Sequence, residues 1–247
     1  MKIGITERGD AGINFEWTKT IDNTDYSVII TKNTTTKRFH EEVLKHKDKI
    51  LLHATITGWG NTPMEPNVPS TNASVASVCK LIEEGFPNKQ VVWRIDPIID
   101  ATGINGLKRA HRVFETIHAN EHLHDIKRIR TSVMDGYAHA IKRMNNIGVK
   151  RNYSTFTAPE DTFQKINEML DVWKKTGYTI EACAEPKLNA EHIGCVNNKD
   201  AKIFGLEINT KQVNSQNRYG CLCSIAKTEL LTKRKQCPHQ CAYCYWK

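Results

Sequence analysis

Short apolar segments and longer amphipathic segments take turns along most of the chain, and this alternation constrains the fold more than any other feature. The apolar segments are rich in Ile and Val and mostly lack polar alternation, as expected for parallel strands that are buried on both faces. Strands are predicted at 2–6, 27–31, 50–56, 91–95, 129–133 and 179–184. Helices are predicted at 71–84, 105–117, 136–144 and 159–176. This order predicts an α/β fold, in the form of a partial parallel (β/α)6-type TIM-like barrel.

Two of the predicted helices carry recognisable end signals. Ser70 precedes the helix at 71–84 as a candidate N-cap, and Gly85 follows it. The stretch from Thr157 to Glu160 has the pattern of a capping box for the helix at 159–176, and Gly177 follows that helix. Both helices are therefore expected to end within a residue or two of these positions.

Polar side chains collect where the predicted strands end. Parallel barrels carry their chemistry at the carboxyl ends of the strands. The residues at these positions are His53, Thr55, Thr57 and Gly58 for the third strand, Arg94 and Asp96 for the fourth, Arg130, Ser132 and Asp135 for the fifth, and Cys183 and Glu185 for the sixth. We expect His53, inside its strand, to be a core histidine, and the others to form one polar rim.

Length and composition fit one enzyme-sized unit. The chain has 247 residues, of which 39% are hydrophobic, so it can bury one sizeable core. It has no run of about 18 apolar residues, and we expect no membrane span. The N-terminus reaches charged residues at once and does not resemble a secretory signal, which predicts a cytoplasmic protein. Eight cysteines in that setting favour metal or redox chemistry.

The charge of the chain is basic. A formal net charge of +8 is compatible with a nucleic-acid partner, although many enzymes without one are mildly basic. Lys233, Arg234 and Lys235 stand beside the C-terminal cysteines, where a phosphate backbone would pass if the substrate were nucleic acid.

Three cysteines close the chain with a spacing that suits an iron–sulfur cluster. Cys237, Cys241 and Cys244 can bind three irons of one [4Fe–4S] cluster and leave the fourth iron without a protein ligand. Two alternatives stay open. The cysteines can bind zinc, with His239 or another cysteine as fourth ligand, or they can form disulfides or remain thiols. We expect a barrel at 1–189 and a cysteine-rich iron–sulfur segment at 190–247 that packs on its mouth.

The remaining cysteines allow a second site. A closed metal site with four thiolates, such as a second iron–sulfur cluster, can be formed by Cys183, Cys195, Cys221 and Cys223. The alternative is a pair of loop thiols and two buried cysteines that pack like apolar residues. Cys79 lies on the apolar side of a predicted helix, which indicates a core position.

Several motifs, taken in order, resemble the radical S-adenosylmethionine family, in particular the spore photoproduct lyase and DNA photolyase-like group. The matching stretches are 29–33, 53–60, 65–69, 92–99, 128–135, 183–185, 218–223, 227–231 and 237–246. The aromatic Tyr243 before Cys244 is part of the pattern. The cysteine loop lies at the end of this chain, whereas in that group it follows an early strand, so a loop reaching the barrel mouth from the C-terminus is expected.

The resemblance implies a [4Fe–4S] cluster at Cys237, Cys241 and Cys244 with S-adenosylmethionine on the open iron. It suggests that Tyr243 packs near the adenine, the alternative being an ordinary loop aromatic. The other candidate cofactor contacts are Thr57, Gly58, Arg94, Asp96 and Ser132. Arg94 and Asp96 can instead form a structural ion pair. Glu65 is a candidate carboxylate for the methionine amino group.

The resemblance also implies a radical lyase or related enzyme that repairs or modifies a base in nucleic acid, DNA above all, with flavodoxin or ferredoxin as electron donor. Lys and Arg would hold the phosphates, and the candidate stacking aromatics are Trp59, Trp93, Tyr137 and Trp246. Two other functions stay open: radical chemistry on a small molecule or peptide, and a metal-binding module without catalysis.

Overall fold

One eight-stranded parallel sheet organises the chain. The computed structural model describes residues 1–102, 105–208, 221–223, 227–232 and 236–245. The strands of the sheet are β1 (Ile3–Ile5), β2 (Tyr26–Thr31), β3 (Ile50–Thr55), β4 (Val91–Ile98), β6 (Arg128–Val133), β8 (Thr179–Ala182), β9 (Glu191–His192) and β10 (Lys227–Glu229). Two short strands, β5 (Ala101–Thr102) and β7 (Lys150–Arg151), form a separate antiparallel pair.

Six α-helices are described, most of them between strands. They are α1 (Lys37–Lys45), α2 (Thr71–Glu83), α3 (Gly106–His118), α4 (Ala138–Asn146), α5 (Glu160–Lys175) and α6 (Asn198–Ile203). Single turns of 3-10 helix lie at Phe15–Lys19, Ile21–Asn23, Lys47–Lys49, Asn88–Gln90 and Glu121–Leu123. Among the described residues, every helix is too short or too polar to span a bilayer.

The prediction of a partial TIM-like barrel is wrong. The strand order is β10-β1-β2-β3-β4-β6-β8-β9, and every neighbouring pair is parallel. A barrel closes by pairing its first and last strands. In the described part of the chain, β10 and β9 stand at opposite edges without such pairing, so the sheet is open. Buried Ile- and Val-rich strands look the same in an open parallel sheet and in a barrel, and the sequence pattern does not separate the two.

The positions of the central elements follow the sequence prediction closely. The six predicted strands correspond to β1, β2, β3, β4, β6 and β8, and the four predicted helices to α2, α3, α4 and α5. Ser70 caps α2 by accepting a hydrogen bond from the backbone N–H of Ala73, as predicted. The predicted capping box at Thr157 is wrong, because α5 begins after Pro159 without a side-chain cap.

The two faces of the sheet have different partners. On one face, residues such as Leu52, Trp93 and Ile129 belong to the main core, together with apolar residues of α1, α2, α3 and α5. On the other face, residues such as Leu51 and Val92 pack with Cys195, Cys223 and α6. Because successive strand residues point to opposite faces, neighbouring residues of one strand serve these two environments. Segment 190–247 supplies β9, α6 and β10, and so contributes both edge strands and part of the second face.

A buried ion network lies on this second face. Arg130, fully buried, donates to Glu181 Oε2 at 2.7 Å and contacts Asp200 Oδ2 at 3.4 Å. Arg128 binds Glu181 Oε1 at 2.8 Å and Asp200 Oδ1 at 2.5 Å. Burial alone would raise the pKa of Glu181, but the two guanidiniums outweigh it and hold that pKa at about 2. His53 is buried beside Arg130, in agreement with a core histidine.

Several sequence predictions fall outside the described residues. The basic cluster of Lys233, Arg234 and Lys235, the motif residues 218–220 and the stacking candidate Trp246 all lie there.

The ion network leads to a prediction about stability. Glu181→Gln removes one charge from the network and leaves Arg130 buried with a weakened partner, so we expect it to lower the free energy of unfolding by about 3–5 kcal/mol. Urea unfolding measures this loss. Glu191→Gln is the matched control, because Glu191 pairs with Lys199 at the surface and its loss costs about 0–1 kcal/mol. Equal losses in the two variants would contradict a stabilising role for the buried network.

Candidate functional site

The three C-terminal cysteines lie in a loop, residues 236–245, that packs against the segment after β3 and against α4. The backbone N–H of Ala242 donates to the carbonyl oxygen of Met64 at 2.9 Å. Arg143 on α4 donates through Nε to the carbonyl oxygen of Ala242 at 3.1 Å, and through Nη2 to that of Cys244. Cys241 is buried, and Cys237 and Cys244 are partly exposed. The loop is thus fixed at the edge of the sheet where the parallel strands end.

A buried carboxylate joins the loop to the strand ends. Glu65, 1% exposed, accepts hydrogen bonds from Lys32 Nζ at 2.6 Å, from Thr57 Oγ1 at 2.6 Å and from the hydroxyl of Tyr243. Its Oε1 lies 4.0 Å from the sulfur of Cys241. Lys32 follows β2 and Thr57 follows β3, so one carboxylate connects two strand ends to the cysteine loop.

The charges of this group are matched in pairs. Burial would raise the pKa of Glu65, but the Lys32 ammonium and the three hydrogen bonds lower it. Burial would lower the pKa of Lys32, but the Glu65 carboxylate raises it. Burial, and then the negative charge of Glu65, raises the pKa of Tyr243, which stays a neutral hydrogen-bond donor. Glu65 and Lys32 therefore form a buried ion pair that the loop tyrosine completes.

His239 anchors the front of the loop. Its Nδ1 lies 2.9 Å from the carbonyl oxygen of Asn67, and its Nε2 lies 3.0 Å from Asp10 Oδ2. Asp10 also accepts a hydrogen bond from Thr31 Oγ1 at 2.6 Å at the end of β2. Burial would lower the pKa of His239, but the Asp10 carboxylate raises it. Both ring nitrogens thus face protein partners, which speaks against His239 as a fourth zinc ligand.

The predicted cofactor contacts fall into separate groups. Thr57 and Tyr243 meet at Glu65. Gly58, with φ of +81°, faces α3 instead, and its carbonyl oxygen accepts a hydrogen bond from Arg109 Nη1 at 3.0 Å. A Cβ at Gly58 would stand 3.0 Å from the backbone oxygen of Arg109, so this glycine serves a close approach of chain segments.

Arg94, Asp96 and Ser132 form the third group. Asp96 accepts hydrogen bonds from the guanidinium of Arg94 and from the hydroxyl of Ser132. These residues occupy the ends of β4 and β6, and Asp96 lies within electrostatic reach of Lys32. Arg94 and Asp96 do form an ion pair, and together with Ser132 they line the strand edge next to the Glu65 group.

Of the five other cysteines, Cys183, Cys195, Cys221 and Cys223 also come together, on the second face of the sheet. The sulfurs of Cys183 and Cys195 are 3.6 Å apart, and the backbone N–H of Cys195 donates to the sulfur of Cys223 at 3.0 Å. None of the eight cysteines, all within the described ranges, forms a disulfide.

A further group of candidate metal-binding side chains was not predicted from the sequence. Among the described residues, one set of three metal-binding side chains has its ligand atoms within 4.8 Å of one another: Cys79, Glu83 and His122. It lies at the end of α2 and before β6, towards the amino ends of the strands, and Glu83 and His122 are exposed. Cys79 is partly buried and packs against the main core.

Two residues of the site were not predicted. Lys32 belongs to the motif at 29–33 and directly follows a predicted strand, so the sequence did indicate a position at the rim. No sequence feature indicated Asp10, because its partner His239 is 229 positions away in the sequence. Of the predicted stacking residues, Trp59 and Trp93 are 1% and 0% exposed, so they are core residues.

The comparison with known proteins corrects the resemblance. Residues 15–246 match the family described as "Domain of unknown function (DUF1848)". No curated protein and no solved structure matches the chain. The identification as a member of the spore photoproduct lyase group of radical S-adenosylmethionine enzymes is therefore wrong: the motifs that suggested it belong to a distinct family.

The Glu65 group leads to a prediction about the loop. Glu65→Gln leaves the Lys32 ammonium buried without its counter-charge, so we expect the loop to open more often. A loss of about 1.4 kcal/mol in local stability raises hydrogen–deuterium exchange of the amides in 236–245 about tenfold. Mass spectrometry of that segment measures the rate.

The matched control is Asp100→Asn. Asp100 is also buried, at 6% exposure, but its hydrogen bonds go to Asn152 and Thr162 and not to the loop. Unchanged exchange in Glu65→Gln, or the same increase in both variants, would show that the carboxylate does not fix the loop.

Proposed function

We propose that this chain, which belongs to the DUF1848 family, is an enzyme that binds a [4Fe–4S] cluster through Cys237, Cys241 and Cys244 and S-adenosylmethionine at the iron left open. The reaction we propose is radical repair or modification of a base in nucleic acid. The observation that carries the proposal is the placement of three cysteines, in one short loop, over the strand ends beside the buried Lys32–Glu65 pair.

The donor set fits a cluster with one open iron. Three thiols at spacings of four and three residues suit three irons of one cluster. Among the described residues near the loop, Glu65, His239 and Asp10 carry other ligand atoms. Glu65 is held by Lys32, Thr57 and Tyr243, and His239 by Asn67 and Asp10. Asp10 also accepts a hydrogen bond from Thr31. With these three groups engaged, the loop offers three sulfurs.

The same observations favour a cluster over a single zinc ion. Tetrahedral zinc with bonds of about 2.3 Å to sulfur draws its ligand atoms to roughly 4 Å from one another. Among the described residues, the three loop sulfurs do not form such a tight set. A cluster, in which each sulfur binds its own iron, accepts the wider arrangement.

The cofactors supply the reactivity and the chain supplies position. When bound, they provide one-electron cleavage of a sulfonium carbon–sulfur bond: an external donor such as flavodoxin or ferredoxin gives the electron, methionine leaves, and the adenosyl carbon takes a hydrogen atom from the substrate. Lys32, Glu65 and Tyr243 hold the cysteine loop rigid. The charged and hydroxyl groups of Arg94, Asp96 and Ser132 are the residues we assign to the methionine end of the cofactor. A reducing compartment such as the cytoplasm suits this chemistry.

The substrate class is argued from a group of aromatic side chains beside the loop. The rings of Tyr137 and Phe156 are 5.1 Å apart in an edge contact, and those of Tyr137 and Tyr245 are 6.0 Å apart. Phe156 and Tyr245 are about half exposed. Arg151 donates to the carbonyl oxygens of Thr155 at 2.8 Å and Phe156 at 3.5 Å, so a basic group adjoins these rings. Exposed aromatic rings next to basic residues are the arrangement on which bases of single strands stack. We call Tyr137, Phe156 and Tyr245 the aromatic patch.

The proposed cofactor chemistry predicts a measurable reaction. Protein purified without oxygen and reduced with dithionite is expected to bind iron and sulfide and to convert S-adenosylmethionine to methionine and 5′-deoxyadenosine. The triple variant Cys237→Ser, Cys241→Ser, Cys244→Ser is expected to lose this conversion fully, because no thiolates remain at the site. Cys79→Ser, remote on α2, is the control and keeps it. Zinc in the wild-type protein without cleavage would leave a metal-binding module in place of an enzyme.

The aromatic patch predicts binding of single-stranded DNA. A fluorescent oligonucleotide is expected to bind at low salt and to dissociate as salt rises. The double variant Phe156→Ala, Tyr245→Ala should weaken binding about tenfold or more, since one stacked base contributes about 1–3 kcal/mol. Val172→Ala is the control, because Val172 is an exposed apolar residue on α5. Absence of binding at low salt, with cleavage of S-adenosylmethionine intact, would shift the substrate to a small molecule or peptide.

A further inference from the structure

Four cysteines from three separate segments converge on the second face of the sheet. Cys183 follows β8, Cys195 follows β9, and Cys221 and Cys223 lie in the described segment 221–223. The sulfurs of Cys183 and Cys195 are 3.6 Å apart. Cys195 donates its backbone N–H to the sulfur of Cys223 at 3.0 Å, and Cys221 is within hydrogen-bonding contact of Cys223. Four thiols therefore form one connected group.

The backbone is shaped to bring these segments together. A Cβ at Gly194 would stand 2.5 Å from the carbonyl oxygen of Leu222 and 2.7 Å from the backbone nitrogen of Cys223. Only glycine permits this approach, and it places Cys195 against Cys223. Ala184, directly after Cys183, has φ of +56°, a backbone conformation that residues with a Cβ rarely adopt. The surrounding structure therefore holds the chain beside Cys183 in a strained conformation.

Apolar side chains and two guanidiniums surround the group. Cys195 and Cys223 are buried in the apolar cluster that includes Ile5, Leu51 and Val92. Arg94 and Arg130 lie close enough to Cys195 for their charges to act on its thiol. Each guanidinium also has a carboxylate partner, Asp96 for Arg94 and Glu181 for Arg130.

Arg94 also has a donor to spare. Its guanidinium binds Asp96 through Nη2, but its buried Nε–H has no acceptor among the described residues. A buried donor without a partner is rare and points to an acceptor beyond the described protein atoms. Cys195 and Cys183 are the cysteines whose charge, once they are thiolates, would act on Arg94.

We infer that Cys183, Cys195, Cys221 and Cys223 bind a second iron–sulfur cluster, with all four irons held by the protein. Four cysteine thiolates are the ligand set of a closed [4Fe–4S] cluster. No three of these four described sulfurs lie mutually within 4.8 Å, so the set as a whole is wider than the roughly 4 Å that a single tetrahedral ion imposes. The Cys183 and Cys195 sulfurs, 3.6 Å apart, have to separate when a cluster binds. A cluster closed by four thiolates leaves no iron open, so this centre does not bind substrate. It uses none of the three loop cysteines.

The test counts iron and sulfide in three proteins, each purified and reconstituted without oxygen. The first is the wild-type chain. The second is the loop variant Cys237→Ser, Cys241→Ser, Cys244→Ser. The third is the face variant Cys183→Ser, Cys195→Ser, Cys221→Ser, Cys223→Ser. Two clusters predict about eight irons in the wild type and about four in each variant.

The loop variant decides the inference, because its second face is unchanged. About four irons and four sulfides retained there support a second cluster. No iron, or zinc in place of iron and sulfide, overturns it. The outcome for the loop site is separate: iron absent from the face variant but present in the loop variant would reject the proposed function and leave the second cluster standing.

A single substitution keeps the test valid if the face variant fails to fold. Gly194→Ala pushes the 222–223 backbone away from Cys195 without removing a sulfur, and we expect it to lower iron in the loop-variant background at least about twofold. Val172→Ala in the same background is the control and leaves iron unchanged, because Val172 is an exposed residue on α5. Full iron retention in Gly194→Ala would contradict a site that depends on this backbone approach.

Discussion

The buried ion pair between Glu65 and Lys32 is the interaction on which the candidate site depends. It joins the end of β2, the segment after β3 and the cysteine loop through a carboxylate that water barely reaches. A buried charge stays ionised only when its partner and hydrogen bonds are in place. If the loop left the sheet, both members of this pair would lose the Tyr243 hydroxyl, which hydrogen-bonds to Lys32 and to Glu65. The position of the cysteines is therefore coupled to the packing of the parallel strands.

The two faces of the sheet and its carboxyl edge carry different groups of residues. One face carries the helices and the main apolar core. The other carries the Arg128, Arg130, Glu181 and Asp200 network and the four clustered cysteines, while the loop cysteines sit at the carboxyl edge. Two cysteine groups thus occupy different environments, one beside the exposed aromatic patch and one buried beneath the sheet. That difference is the physical basis for assigning open-iron chemistry to the first and a closed cluster to the second.

The sequence predicted the pieces better than their arrangement. Apolar periodicity located the long strands and helices, because burial on both faces leaves a continuous Ile and Val signal. It missed the edge strands β9 and β10, since Glu191–His192 and Lys227–Glu229 are short and polar. With only the six central strands located, a barrel was predicted in place of the open sheet. At the site, the cysteine spacing and Thr57 were visible in the sequence, but the Asp10–His239 contact depends on tertiary packing and leaves no local pattern.

The central claim is an iron without a protein ligand at the Cys237, Cys241 and Cys244 loop. Electron–nuclear double resonance on the reduced protein tests it most directly, with S-adenosylmethionine carrying ¹⁵N in its amino group. The account predicts hyperfine coupling between that nitrogen and the cluster, present in the variant that lacks the four face cysteines and lost in the triple loop variant. A reduced loop cluster that shows no coupling to the labelled nitrogen, or a loop that binds no cluster, would contradict it.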